Sequence, residues 1–174
     1  MFDQLSLNIL DIGMNSLAAG ATVVRVTVIE DPAHDQLLIR IRDNGRGMDE
    51  KTLQNVLAKN ASTKIGRKKP IGLGLALLRQ TSEMCDGAFH VQSVPGKGTG
   101  VTASMRLSHV DRPPLGDLNS TIFALSAANL EADVQLHYRT GDREFSFSSQ
   151  EGKQHEPRPT QEAQGKSPAA SCAA

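Results

Sequence analysis

The chain has 174 residues, and its 19 basic side chains are balanced by 19 acidic ones, which excludes a global attraction for nucleic acid or an anionic membrane. That length suits one domain with additions and needs no staples to hold a core, and the two cysteines, Cys85 in a helical pattern and Cys172 in a polar tail, predict neither a disulfide framework nor a cysteine metal site. No stretch approaches the apolar length of a membrane span and no secretory signal pattern stands at the N-terminus, so a soluble protein of the reducing cytoplasm is expected.

In chain order, Leu5, Ile9 and Ile12 recur at helical spacing through about residue 19, with Asn8, Asp11 and Asn15 on another face and Gly20 as the stop. Val24, Val26 and Val28 then alternate with polar residues. After a turn at Asp31-Pro32, Leu37, Ile39 and Ile41 do the same, giving a strand pair that ends on Asp43. Residues 49–58 read as a helix capped by Asp49, and Asn60 to Ile71 mixes Ser, Thr, Gly, Pro and four basic residues without apolar periodicity, as a lid would. A helix from about Leu73 to Cys85 leads to strands at 88–94 and 101–107, joined by a turn at Pro95-Gly96-Lys97-Gly98.

That order predicts an α/β fold, a two-layer sandwich in which helices cover one face of a sheet. Residues 1–108 form the main domain in this reading. Residues 109–148 follow as an extension, with a helix from near Asp117 and a hairpin whose strands carry Val134, Leu136 and Tyr138, then Phe145 and Phe147. Residues 149–174 are rich in Gln, Glu, Lys, Pro, Ser and Ala, and are expected to be a disordered tail.

Three local features carry chemistry. Asp43 ends a strand just before Gly45 and Gly47, so an acceptor can sit beside unobstructed backbone, although on this box alone a plain strand-to-helix turn is the better reading. Gly72 and Gly74 open a helix whose first amides suit phosphate oxygens; the spacing is not that of a P-loop. Asn15 can offer a carboxamide oxygen to Mg²⁺, and Asp11, one turn earlier, can orient or deprotonate a water. The five histidines show no metal spacing, and the shortage of aromatic residues argues against single-stranded nucleic acid as a partner.

The ordered set Asp11 to Asn15, Asn15-Ser16-Leu17-Ala18-Ala19-Gly20-Ala21, Asp43-Asn44-Gly45-Arg46-Gly47-Met48, Gly72-Leu73-Gly74-Leu75 and Gly96-Lys97-Gly98-Thr99-Gly100-Val101 resembles the successive boxes of the GHKL superfamily. That group includes DNA gyrase, heat-shock chaperone ATPases, histidine kinases and MutL. The resemblance covers roughly residues 5–107. It implies the Bergerat fold, with a mixed, mainly antiparallel sheet and ATP held under a lid. It assigns Asn15 to Mg²⁺, Asp43 to adenine, Gly45 and Gly47 to backbone clearance, Gly72 and Gly74 to phosphates, and Thr99 to adenine through water. Ser62-Thr63-Lys64 resembles the lid of MutL and of anti-sigma serine kinases, which places Lys64 near the γ-phosphate. The segment Leu107 to Asp117 resembles stand-alone ATP-binding proteins associated with iron hydrogenases.

Hydrolytic members of the group carry Glu where Asp11 stands, and that side chain is one methylene shorter here. Only ten residues precede Asp11 and none is His, so a complete sensor histidine kinase is not expected. The resemblance therefore implies a Mg-ATP-binding regulator, either an ATPase or phosphotransferase acting on a partner protein, with Asp11 and Lys64 as catalytic groups, or a nucleotide-gated switch with little turnover. A protein partner is expected, a membrane is not, and a homodimer is compatible with the reading.

Overall fold

A computed structural model describes residues 4–59 and 73–153. Helix α1 spans Leu5–Ala18 and buries Leu5, Ile9, Ile12 and Ser16, a single stripe at helical spacing. It ends in a Schellman turn: Gly20, at φ +79°, donates to the Leu17 carbonyl and Ala21 donates to that of Ser16. Asn8, which the periodicity puts on the polar face, is buried, because α1 is flanked by a helix on either side.

Strands β1 (Val23–Asp31) and β2 (Gln36–Asp43) form an antiparallel pair, followed by α2 (Glu50–Lys59), which is capped by Asp49 through the Thr52 amide at 2.7 Å. Helix α3 spans Leu73–Met84, and β3 (Phe89–Val94) pairs with β4 (Gly98–Arg106). Strand β4 begins three residues before the sequence pattern predicts. Its first residues, Gly98-Thr99-Gly100, lack an apolar alternation but pair with Val94, Ser93 and Gln92. Helix α4 (Leu118–Ala128) is capped by Asp117, and it leads to β5 (Asp133–Thr140), β6 (Arg143–Ser148) and a short α5 (Ser149–Lys153). The polar stretch read as a tail thus starts with one helical turn, and the rest of it lies outside the described residues, as does the segment 60–72 that contains the lid reading, Lys64 and Gly72.

All six strands form one sheet, in the order β3-β4-β2-β1-β5-β6. Every pairing is antiparallel except β1 with β5. The parallel pair needs a crossover, and α4 lies within that connection and packs on α1 and β5. One face of the sheet carries Val24, Val26, Val28, Leu37, Ile39, Ile41, Val101, Ala103, Met105, Val134 and Leu136, all buried beneath α1, α3 and α4. The two-layer mixed sandwich is therefore the architecture of this chain.

Candidate functional site

Asp43 is in phase with Leu37, Ile39 and Ile41, so β2 delivers its carboxylate to the helix-covered face at the point where the strand ends. Its Oδ1 accepts from the Gly45 amide at 2.9 Å and the Thr99 amide at 3.2 Å, and its Oδ2 accepts from the Ser16 hydroxyl at 2.8 Å. A carboxylate has about four acceptor positions, so three protein donors leave one, on Oδ2. The carboxylate is thereby oriented from three elements, β4, the glycine loop and α1.

That acceptor borders a cleft of about 140 Å³. Ile12, Ile41, Val56, Leu75 and Val101 give the cleft apolar walls, and Asn15, Ser16, Asp43 and Thr99 line it as well. Apolar walls with a few placed polar groups suit a flat heteroaromatic ring with one exocyclic amino group, since the walls take the ring faces and the acceptor takes the amino hydrogen.

The glycine loop completes the rim. Gly47 has φ +64°, and a side chain there would collide with the Val94 carbonyl, so only glycine lets the loop lie against the β3–β4 turn. Gly98, at φ +98°, is equally closed to a side chain, which would collide with the Asp43 carbonyl. The loop is tied down by the Met48 amide, which donates to Ser93 Oγ at 2.8 Å; that hydroxyl in turn lies 2.8 Å from Thr99 Oγ1.

At the other end, Asp11 and Asn15 sit one helical turn apart on α1. Asn15 Nδ2 donates to Asp11 Oδ2 at 3.3 Å, and the Gly74 amide donates to the same oxygen at 2.9 Å. The first turn of α3 is thus held against α1 by Asp11. Asn15 Oδ1 has no hydrogen-bond partner among the described residues and is the oxygen available to a cation in this assignment of the amide.

Asn15, Asp43, Gly47 and Thr99 therefore line one cleft, Gly45 bonds to its carboxylate, and Asp11 with Gly74 stands beside Asn15. Lys64 and Gly72 lie outside the described residues. Two residues without an assigned role in the sequence reading belong to this geometry. Ser16 falls on the apolar stripe of α1, where a hydroxyl is out of place unless something accepts from it. Ser93 continues the inward phase of Phe89 and Val91 on β3. In both, a polar residue at an inward position is the signal.

Residues 1–109 match the family described as histidine kinase-, DNA gyrase B-, and HSP90-like ATPase. The chain belongs to this family. The GHKL-type ATPase domain is an ATP-binding module, and its match spans α1 to just past β4. The chain is 31% identical over 117 residues, 63% of its length, to the non-motile and phage-resistance protein of Caulobacter vibrioides, and covers 13% of that protein. It is 27% identical over 105 residues, 60% of its length, to sporulation kinase D of Bacillus subtilis, covering 20% of it. It is 32% identical over 102 residues, 58% of its length, to the signal transduction histidine-protein kinase AfsQ2 of Streptomyces coelicolor, covering 18%. The chain thus spans a fifth or less of the length of these curated relatives. Among the described residues no helix is long and apolar enough to cross a membrane.

Proposed function

We propose that this GHKL-type domain binds Mg-ATP in the cleft at Asp43 and uses it as an ATPase or phosphotransferase that acts on a partner protein in the cytoplasm. The observation that carries the reading is the Asp43 carboxylate, held by three protein donors and left with one acceptor position beside apolar walls. Ile12, Ile41 and Val101 would take the ring faces, Asp43 the adenine amino hydrogen, and Thr99 a bridging water. Gly45 and Gly47 keep the backbone clear. Gly72 and Gly74 would meet phosphate oxygens, since the first amides of a helix favour anions, and the Gly74 amide would exchange Asp11 for phosphate. Asn15 would contribute a neutral oxygen to Mg²⁺, which takes few protein ligands when phosphates and water supply the rest. When bound, ATP supplies a transferable phosphoryl group. Asp11 would orient or deprotonate the attacking nucleophile, and Lys64 would balance charge on the transferred group. In this reading residues 1–108 carry the nucleotide chemistry and residues 109–148 brace α1.

A thermal-shift titration with Mg-ATP, followed by assays of phosphate release and of γ-phosphate transfer to co-purifying proteins, tests the proposal. Stabilisation that grows with nucleotide concentration and is lost in Asp43→Asn is expected. No stabilisation, or an equal one in the variant, overturns the site; binding without release or transfer overturns the enzymatic part.

A second reading, a nucleotide-gated switch with little turnover, is favoured by one observation. Asp11 Oδ2 already accepts from the Gly74 amide, so the base position is engaged with α3. Binding of ATP would then break a contact between α1 and α3, which changes the α3 side of the domain without any need for hydrolysis.

A further inference from the structure

The face of the sheet opposite α1, α3 and α4 is basic, although the chain as a whole is neutral. Alternation sends Val24, Val26 and Val28 of β1 and Ile39 and Ile41 of β2 into the core, which leaves Arg25, Arg40 and Arg42 on the other face. Arg25 and Arg42 are direct cross-strand partners, and Arg40 is partnered by Thr27, so the three arginine positions form one compact triangle on that face. Like charges directly opposite one another on a sheet are destabilising. Here no described carboxylate makes an ion pair with any of the three, whereas Arg79 and Arg106 are each paired with acids elsewhere. Arg25 Nε donates only to the neutral Gln135 side chain, at 2.8 Å. Arg40 Nε is buried without any hydrogen-bond partner, the one such side-chain atom among the described residues. Glu151 borders the adjoining groove next to Arg25 without pairing with it.

From this we infer that the arginine triangle of Arg25, Arg40 and Arg42 is a docking surface for an acidic segment of a partner protein. Guanidinium forks match carboxylates in a bidentate geometry, and an incoming acidic side chain would relieve the Arg25–Arg42 repulsion. The chain's own C-terminal segment is a poor complement, because Glu156 and Glu162 are cancelled by Arg158 and Lys166. Nucleic acid fits less well than an acidic protein segment. The open face also presents Ile29 and Leu38, a cross-strand aliphatic pair that suits the apolar side chains of a peptide and not a phosphate backbone. The triangle lies directly behind the nucleotide cleft, since Arg42 and Asp43 are consecutive residues of β2 that point to opposite faces. The inference does not depend on whether ATP is turned over.

The test is fluorescence anisotropy of labelled oligoglutamate with the full chain at low salt, against Arg25→Gln/Arg42→Gln and Arg40→Gln. Expected results are saturable binding that weakens steeply with salt and falls at least about tenfold in the double variant. The Mg-ATP thermal shift should be unchanged in both variants. Should the double variant not fold, Arg42→Gln alone reads the same loss. Absence of oligoglutamate binding at low salt, or equal binding by the variants, overturns the proposal. Tighter binding of single-stranded DNA of matched charge through the same arginines also overturns it and assigns the face to nucleic acid, and saturation by inorganic phosphate that oligoglutamate cannot displace assigns it to a small anion.

Discussion

Asp11 Oδ2 accepts a hydrogen bond from the Gly74 amide at 2.9 Å, across 63 residues of chain. The residue in the catalytic position and the amide in the phosphate position of the proposed function therefore bind each other, and a phosphate at Gly74 must compete with this carboxylate. Removing Asp11 would free the amide and remove a negative charge. Asp11→Ala is expected to bind Mg-ATP more tightly by about twofold to twelvefold, the equivalent of one net hydrogen bond of ~0.5–1.5 kcal/mol, while phosphate release falls to background. Isothermal titration and a release assay measure the two effects separately, and weaker binding by the variant would contradict the competition.

Asp43→Asn replaces one acceptor oxygen by a donor, and neither orientation of the amide is good. Turned one way, the NH₂ faces the Gly45 and Thr99 amides; turned the other, it can donate to Ser16 Oγ, whose hydrogen then turns to the Ile12 carbonyl, but it opposes the ring amino group. An unsatisfied or opposed buried donor costs about 1–3 kcal/mol, so nucleotide affinity is expected to fall roughly 10- to 100-fold. Ser16→Ala should weaken binding less, by about fivefold to tenfold, because Asp43 keeps its other two donors. Equal affinity across wild type and both variants would remove Asp43 from the binding site.

Gly13 on α1 has the methyl groups of Leu125 on α4 where its side chain would be, with Leu125 Cδ1 2.7 Å from an added Cβ. Alanine in a helix is ordinarily better than glycine by ~1 kcal/mol, but overpacking costs ~1–3 kcal/mol, so Gly13→Ala is expected to destabilise the protein by up to about 2 kcal/mol. In a Leu125→Ala background the same substitution should be neutral or stabilising. Urea denaturation of the four proteins gives the coupling, and additive effects would mean that α1 and α4 do not meet at this point.

Asp35 joins the start of β2 to the end of β4. Its carboxylate is held below the ordinary aspartate value of 3.8, first by the Ser108 hydroxyl and then by the Arg106 guanidinium. A lowered folded-state value means that the contribution to stability is fully present above pH 3.8 and is lost as pH falls through the lower value. Asp35→Asn tolerates the backbone, which has φ +50° here, and should abolish this contribution. The stability difference between wild type and variant is expected to be constant near neutrality and to shrink below pH 3.8, followed by thermal melts over an acid series. A difference that persists unchanged at the lowest pH would assign it to something other than the carboxylate.

Apart from the short α5, which opens the stretch expected to be a disordered tail, the sequence by itself determined the elements and their kinds, because each rests on neighbours within a turn or a strand. Leu5, Ile9 and Ile12 announce a helix, Val24, Val26 and Val28 a strand, Asp49 and Asp117 caps, and the glycine boxes a family. It did not place the start of β4 at Gly98, since Gly98-Thr99-Gly100 has no apolar alternation and becomes a strand only by pairing with β3. The tertiary structure alone decided that β5 lies parallel to β1, that the arginines of β1 and β2 meet without a carboxylate, and that Ser16 and Thr99 both donate to Asp43. Those contacts join residues 27 and 56 positions apart, as Asp11 and Gly74 are joined across 63. Local periodicity sets which face of an element is apolar, but which polar groups meet across the gap depends on the strand order and on how the helices pack over the sheet.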